Sequence, residues 1–433
     1  MSFIKHFFKL EQNNTTIKKE FLAACITFLA MLYVIPVGSD ILSQAGMPKS
    51  SLITSISLMT AIATFLTGIW ANAPVAMSVG MGLNAFFTFS LVQTSHLSWQ
   101  QALGAVFLSG IFFLIVSFTK LRVWILRSIP SDLRLALCAG LGAFIATIGL
   151  KSLGFIQIEN HMLKLGNLHH HEVLFGIFGI LLLLFLIIRQ IQGAFIIGIM
   201  ICAVLSWIFG YQDIPSRLIS MPASIDTIFM KMDILGVLKI SLIPAILALL
   251  ITDLFDSLGT LSGIGVKANM FQDTHGTDKQ LEKTLQVDAV ATTLGPIFGL
   301  STTTAFLESA TGVNAGGRTG LCAVFISLLF LLTLFFLPIF ESIPSYAIYP
   351  ALIVVGALMF LEIRRINFSD LSISIPVFFI IILMPLTTSI TNGLAAGFGL
   401  YVFLSIFQGK WHRLTTGVIF LFIISMIPFF LPA

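Results

Sequence analysis

The sequence predicts an all-α polytopic membrane protein. Hydrophobic residues make up 57% of its 433 residues, charged residues make up only 10%, and the mean hydropathy is +1.02. Apolar segments of about 17 to 25 residues recur along nearly the whole chain, and each could cross roughly 30 Å of hydrocarbon as a helix. This composition is typical of proteins whose mass lies in the bilayer rather than in a soluble domain.

Fourteen membrane-spanning segments are expected. The first, from Phe21, is too long for a signal peptide and is not followed by a cleavage site of small residues. Seventeen of the 23 Lys and Arg residues fall at predicted inner ends, which favours a cytoplasmic N-terminus. The expected segments are 21–37, 51–70, 74–93, 102–119, 134–151, 172–188, 193–210, 236–265, 285–299, 301–315, 319–338, 346–361, 372–389 and 393–408.

Two of these spans are interrupted. "ANAPVAMSVGMGLNAFF" at 71–87 has a proline and two glycines in the span, and "GLSTTTAFLESATG" at 299–312 begins with a threonine run. They are the third and tenth spans, so a repeat of seven spans would place them at equivalent positions, with the second copy inverted. Paired interrupted spans in inverted halves indicate the midplane binding site of a secondary transporter.

This repeat divides the chain into five parts. They are a cytoplasmic N-terminal segment (1–20), a first seven-span repeat (21–210), an extracytoplasmic linker (211–235), a second, inverted seven-span repeat (236–408) and an apolar C-terminal tail (409–433). Whether the tail crosses the membrane is left open by its sequence.

Carboxylates inside these spans are the main functional candidates, because an ionised side chain at the bilayer centre is costly. Asp253 and Asp256 lie near one face of a helix, and Thr260 continues that face. Gly259 and Gly263 have the small-residue spacing that lets another helix come near. An aspartate could also serve only as a cap or as a bond to a neighbouring helix, and this reading is stronger for Asp253.

Glu308 and Asn84 lie in the two interrupted spans. Glu308 follows the threonine run, where a helix N-terminus would stabilise a carboxylate. The amide of Asn84 suits a nitrogen heterocycle, although an asparagine that bridges two helices would look the same. Asp288 is expected near water at a span entrance, and every histidine falls in a loop or tail. Proton chemistry within the membrane would therefore depend on carboxylates.

Four stretches carry a more specific pattern: "MGLNAFF" at 81–87, "DLFDSLGTL" at 253–261, "STTTAFLESATGVNAGGRTGL" at 301–321 and "PALIVVGALM" at 350–359. Together they resemble the AzgA-like adenine, guanine and hypoxanthine permeases of the nucleobase cation symporter superfamily, which includes the nucleobase/ascorbate transporters. The likeness covers essentially the whole chain. It implies two inverted repeats of seven spans, a core and a gate domain, and short extended segments in spans 3 and 10.

The resemblance also implies uptake of a purine nucleobase by proton symport with alternating access. The implied substrate-binding residues are Asn84, Phe86, Asp256, Phe306, Leu307 and Glu308; the proton would be carried by Asp256 or Glu308; and Asp253, Thr260 and Thr304 would support the site. Two departures stand out. The usual "VNP" after the first span is Val37–Gly38–Ser39 here, and the usual "APG" in the third span is Ser78–Val79–Gly80.

The expected partners are therefore a purine nucleobase, H⁺ as coupling ion and the lipid bilayer, in a bacterial inner membrane. No cofactor, metal or nucleic acid is expected, and a homodimer is one of two assembly states that the sequence leaves open. The main alternative is an anion exchanger or channel of similar architecture. An intramembrane aspartyl protease is disfavoured, because the second acidic motif that such an enzyme needs is absent from the sequence.

Overall fold

The computed structural model describes residues 2–119, 129–159, 162–268 and 279–427. The helices of the first half are α1 (Ser2–Phe7), α2 (Ile17–Met31), α3 (Val34–Ser43), α4 (Lys49–Leu66), α5 (Met81–Ala85), α6 (Trp99–Phe118), α7 (Ser131–Ser152), α8 (His171–Ile188) and α9 (Ala194–Ile208). Those of the second half are α10 (Ile243–Ala268), α11 (Lys279–Leu294), α12 (Ser309–Asn314), α13 (Gly320–Thr333), α14 (Leu337–Glu341), α15 (Ser345–Phe360), α16 (Leu371–Thr387), α17 (Ile390–Phe407) and α18 (Thr416–Ser425). The predicted basic residues Lys120, Arg122 and Arg127 and the last six residues of the tail lie outside these ranges.

Four short strands accompany the helices: β1 (Met77–Val79), β2 (Ile156–Glu159), β3 (Met162–Leu165) and β4 (Thr303–Ala305). The strands β2 and β3 form a hairpin in the loop before α8, and β1 pairs with β4 across a separation of more than two hundred residues. The all-α architecture is thus confirmed, with one long-range strand pair inside it.

Each of the fourteen predicted segments contains at least one helix. Within the described ranges, nine helical stretches are long and apolar enough to cross a membrane. The first of them runs from Ile17 to Ser43, so it starts before and ends after the predicted span. It starts early because the Thr16 side chain accepts a hydrogen bond from the Lys19 amide and caps α2.

The long helices pack into two groups. In the first bundle, α2 to α6 pack with α10 to α13; in the second bundle, α7 to α9 pack with α15 to α17. The two bundles touch along narrower contacts, among them α2 with α9, α5 with α7, and α10 with α7 and α17. The contacts within each bundle are thus more extensive than those between the two bundles.

Two hydrogen bonds join the bundles near the C-terminal end of α3. Asp40 accepts a hydrogen bond from the Ser345 hydroxyl at 2.6 Å, and it also pairs with Lys49 at 3.2 Å. The Ser90 hydroxyl donates to the backbone oxygen of Thr388. Asp40 is only 3% exposed, so its carboxylate is shielded from water, whereas Lys49 is half-buried. These bonds hold the bundles together at the end that the sequence predicts to be extracytoplasmic.

The C-terminal tail forms the ten-residue helix α18, which packs against α17. Ten helical residues extend about 15 Å, roughly half of the hydrocarbon thickness. The described part of the tail is therefore too short to cross a bilayer as a helix.

Candidate functional site

The paired strands β1 and β4 lie inside the first bundle, against α3, α4, α10 and α11. They run antiparallel, with Met77 opposite Ala305, and the Gly80 amide extends the pairing by donating to the Thr302 oxygen at 3.1 Å. Pro74 cannot donate a backbone hydrogen bond, and buried main-chain groups need partners. The two interrupted spans supply those partners to each other. The predicted extended segments in the third and tenth spans are thus confirmed.

Each central strand leads into a short helix. The helix α5 begins at Met81, directly after β1, and α12 begins at Ser309, soon after β4. Because the strands are antiparallel, the two helices lead away from the pair in opposite directions. The N-terminus of a helix carries partial positive charge. A helix N-terminus with partial positive charge therefore lies at each side of the strand pair.

The start of α12 is accessible. Leu307 is 52% exposed, and Glu308 is half-buried. The Tyr33 hydroxyl donates a hydrogen bond of 2.6 Å to Oε1 of Glu308. Asp256, on the adjacent helix α10, is also half-buried and lies close enough for the Glu308 charge to act on it. The structure thus brings two of the predicted acids to one partly open place.

The face of α10 beyond Asp256 is open. Gly259 is exposed, and no atom of the described residues lies within 4 Å of the position that a Cβ would take there. The surroundings of Gly263 lie outside the described side chains, so the expectation that the Gly259 and Gly263 pair lets another helix come near stays a prediction.

Behind this opening lies a second, fully buried pair of acids. Asp253 and Asp288 are both 0% exposed, and the charge of one acts on the other. The Thr292 hydroxyl lies 2.8 Å from Oδ2 of Asp253 and 2.7 Å from the Thr303 oxygen, so its single proton serves one acceptor at a time. The prediction that Asp288 lies near water is wrong, because α11 turns this residue into the bundle.

The predicted supporting threonines differ in their surroundings. Thr304, in β4, is 2% exposed, and its hydroxyl lies 2.7 Å from that of Ser257 on α10. This bond connects the strand pair to the helix that carries the acids. Thr260 is half-buried beside the exposed Gly259. Thr260 therefore borders the opening, whereas Thr304 holds the strand in place.

Asn84 and Phe86 lie at the other end of the strand pair and are closed in. Asn84 is 0% exposed, and its Oδ1 accepts a hydrogen bond from the Ser301 hydroxyl. Phe86 is 1% exposed. Ser301 precedes β4 while Glu308 follows it, so the structure does not bring Asn84 to the acids. Here the amide bridges two parts of the first bundle.

Phe306 lies between the strand pair and the opening. Its amide donates to the Ala76 oxygen at 3.0 Å, and it is 6% exposed. The backbone at Phe306 therefore still belongs to the strand pairing, and the chain leaves it for the exposed Leu307. The candidate residues Phe306, Leu307 and Glu308 thus follow one another from the core to the opening.

Comparison with known proteins identifies the relatives of the chain. Residues 18–396 match Xan_ur_permease, the Permease family. The adenine permease AdeP of Escherichia coli (strain K12) is 38% identical over 428 residues, covering 98% of this chain and 96% of AdeP. The guanine/hypoxanthine permease PbuO of Bacillus subtilis (strain 168) is 33% identical, covering 98% of this chain and 100% of PbuO.

The chain belongs to this permease family. It is a multi-pass membrane protein of a family of transporters rather than enzymes, and the predicted resemblance to purine permeases is confirmed. The transmembrane domain of the cyanobacterium bicarbonate transporter BicA superposes with a TM-score of 0.64 at 14% identity, over 86% of this chain and 95% of that domain. At this identity the likeness concerns the fold and not the substrate.

The two departures of this permease from the purine-permease pattern lie side by side. A Cβ on Gly38 would meet the side chain of Val79 at 3.2 Å and Nδ2 of Asn84 at 3.4 Å. A larger residue at position 38 would therefore press on both neighbours. The missing side chain in α3 makes room for Val79 in β1, and both residues border the closed end that holds Asn84.

Tyr33, at the open end, is a residue that the sequence did not predict. It is 2% exposed and lies between α2 and α3, far from Glu308 in sequence. The signal that could have found it is weak: the chain has only five tyrosines, and this one lies within the first apolar segment. A buried tyrosine hydroxyl needs a partner, but the sequence does not say which.

Proposed function

We propose that this permease imports a purine nucleobase by proton symport with alternating access. Its full-length relatives AdeP and PbuO are named as adenine and guanine/hypoxanthine permeases. The observation that carries the proposal is the partly open pair of acids, Asp256 and Glu308, beside the paired strands. A purine presents alternating donors and acceptors along its edge, which carboxylates and backbone groups can match.

In this proposal the base binds at the start of α12. Glu308 and Asp256 bond its edge, Leu307 offers its backbone amide beside its exposed side chain, and Phe306 contacts its face. Asn84 and Phe86 contribute only after the closed end loosens, because both are buried here. Thr260 and Thr304 support the site from α10 and β4. Asp253 supports the site from the buried side, through its hydrogen bond with the Thr292 hydroxyl.

The proton enters the proposal through Asp256 or Glu308. A proton taken up by one of them removes one negative charge from the loaded site and lowers the cost of moving it through a medium of low dielectric constant. Substrate and proton then cross together. The two bundles supply the motion: the first carries the site and the second acts as the gate, and each bundle contains helices from both of the proposed inverted repeats.

An anion exchanger is the second candidate, because the fold is shared with a bicarbonate transporter. The charge at the opening disfavours it. Within the described ranges, Asp256 and Glu308 form no ion pair with a Lys, Arg or His side chain. Two unpaired acids repel an anion at close range. The same two acids suit a neutral base that arrives with a proton.

The deciding experiment is uptake by proteoliposomes. Radiolabelled adenine, guanine, hypoxanthine, xanthine and uracil are offered with and without an inward proton gradient, to the wild type, to Glu308→Gln and to the control Glu362→Gln, a half-buried glutamate that pairs with Arg365. Gradient-driven accumulation of a purine that is lost only in Glu308→Gln supports the proposal. Absence of purine transport by folded protein, or equilibration that ignores a protonophore, overturns it.

A further inference from the structure

Tyr33 occupies the joint between the two helices of the first span. The helix α2 ends at Met31 and α3 begins at Val34, so the tyrosine lies where the span changes from one helix to the next. Its own backbone oxygen accepts a hydrogen bond from the Val37 amide at 3.1 Å. With 2% of its surface exposed, the side chain has little freedom to turn. The phenol is therefore held in a fixed direction.

This side chain contacts both bundles. Its hydroxyl donates to Oε1 of Glu308 at 2.6 Å, within the first bundle. Its ring lies against the ring of Phe195, with centroids 4.7 Å apart and an angle of 33° between the planes. Phe195 belongs to α9 of the second bundle. Tyr33 thus connects a candidate acid with the bundle that would move against it.

We propose that Tyr33 is a positioning residue that holds Glu308 for proton and substrate binding. The inference deepens the proposed function and rests on it. A hydrogen bond to an ionised carboxylate is shorter and stronger than one between neutral groups. The phenol therefore favours the carboxylate form of Glu308 and fixes the direction of its free oxygen. A proton or a purine N–H then meets a carboxylate that is already aligned.

Other acidic groups near Glu308 also influence its protonation, so Tyr33 does not determine it alone. From α10, Asp256 lies close enough for the Glu308 charge to act on it, and Asp253 is fully buried deeper in the bundle. Asp288 faces Asp253 from α11. On α2, Glu20 lies at the far end, where it accepts hydrogen bonds from the Arg318 and Thr319 amides. Among the described residues, Tyr33 donates a hydroxyl hydrogen bond to the carboxylate of Glu308, whereas the Thr311 hydroxyl donates to its backbone oxygen.

The test is the pH profile of purine uptake by Tyr33→Phe, which keeps the ring on Phe195 and removes the hydroxyl. Loss of a hydrogen bond to a charged group changes a proton equilibrium by about one pH unit. We expect the pH at which uptake falls to half its maximum to rise by about one unit, with a changed KM. A profile equal to that of the wild type overturns the inference.

Three further variants distinguish the effect of the Tyr33 hydroxyl from the effect of its ring packing. Tyr346→Phe removes another buried hydroxyl, which bonds to Ser206, and should leave the profile unchanged. Phe195→Leu removes the ring contact and should lower the maximal rate without a pH shift. Should Tyr33→Phe fail to fold, 3-fluorotyrosine at position 33, a stronger donor, should shift the profile downward. A pH shift in Phe195→Leu instead would overturn the inference.

The outcome for the wild type keeps the two proposals apart. If the wild type shows no proton-driven purine uptake, the proposed function fails. If it does and the profiles of Tyr33→Phe and the fluorinated protein match that of the wild type, only the role of Tyr33 fails.

Discussion

The short helices α5 and α12 each follow one strand of the central pair, but they differ in their access to solvent. At the start of α5, Met81 is 6% exposed and Asn84 is fully buried, whereas at the start of α12 Leu307 is 52% exposed. The helix α5 lies against α3 and α7, one from each bundle, so it is closed from both sides. The helix α12 packs on α2 and α10, where α10 leaves an open face at Gly259. Equivalent segments in the chain are therefore not equivalent in access.

The largest expected effect concerns this access. Leu307→Cys and Asn84→Cys are placed in a background with alanine at Cys25 and Cys138, the two half-buried native cysteines. Since thiol reactivity follows exposure, the cysteine at 307 should react with a membrane-impermeant reagent about a hundredfold faster. Labelling rates followed by mass spectrometry measure this ratio. Equal rates would remove the distinction between the ends.

The next effect concerns packing at the closed end. A Cβ at Gly82 would lie 2.5 Å from the Leu141 side chain of α7. Gly82→Val should therefore separate α5 from the second bundle and lower the free energy of unfolding by about 3 kcal/mol. Leu307→Ala, at the open end, should change it by less than about 0.5 kcal/mol. Thermal unfolding in detergent compares the two, and similar losses would contradict the comparison.

A smaller effect is expected from the buried hydrogen bond at the closed end. Asn84→Ala leaves the Ser301 hydroxyl without its acceptor, which should cost about 1 to 2 kcal/mol. Ser301→Ala should cost a similar amount, and the double variant less than the sum, because the two residues share one bond. Strictly additive losses, measured by chemical unfolding, would show that the amide does not serve as a bridge here.

The smallest effect is expected at Asp370, which lies outside both the open and the closed end of the strand pair. Hydrogen bonds from Ser372, Arg413 and Lys410 hold the pKa of Asp370 well below its usual range. A depressed carboxyl pKa stabilises the fold above the ordinary value of 3.8, and this contribution is lost as the pH falls through the folded-state pKa. Asp370→Asn should lower stability at pH 7 by less than about 1 kcal/mol. The difference from wild type should shrink as the pH falls below about 4, and a constant difference would exclude this linkage.

The hydrophobic composition and the interruption of two apolar spans were sufficient to predict an all-α membrane protein with two short extended segments. Pro74 and the threonine run marked the two interrupted spans, because these residues disfavour a helix. The spacing of Asp253 and Asp256 placed both on one helix but could not tell that one is buried and the other borders an opening. That distinction depends on which neighbour covers each face. Asp288 was misplaced for the same reason, and Tyr33 was missed because its partner is 275 residues away.

The pairing of β1 with β4 also restricts how the chain can change in length. Along a strand, side chains alternate between two faces, so one added residue would reverse the faces of all that follow. An insertion between Pro74 and Asn84 would in addition rotate α5 by about 100° relative to its neighbours. The three-residue strands leave no loop to absorb the shift. Substitutions can adjust this region, as Gly38 beside Val79 does, whereas insertions and deletions belong in the connections outside it.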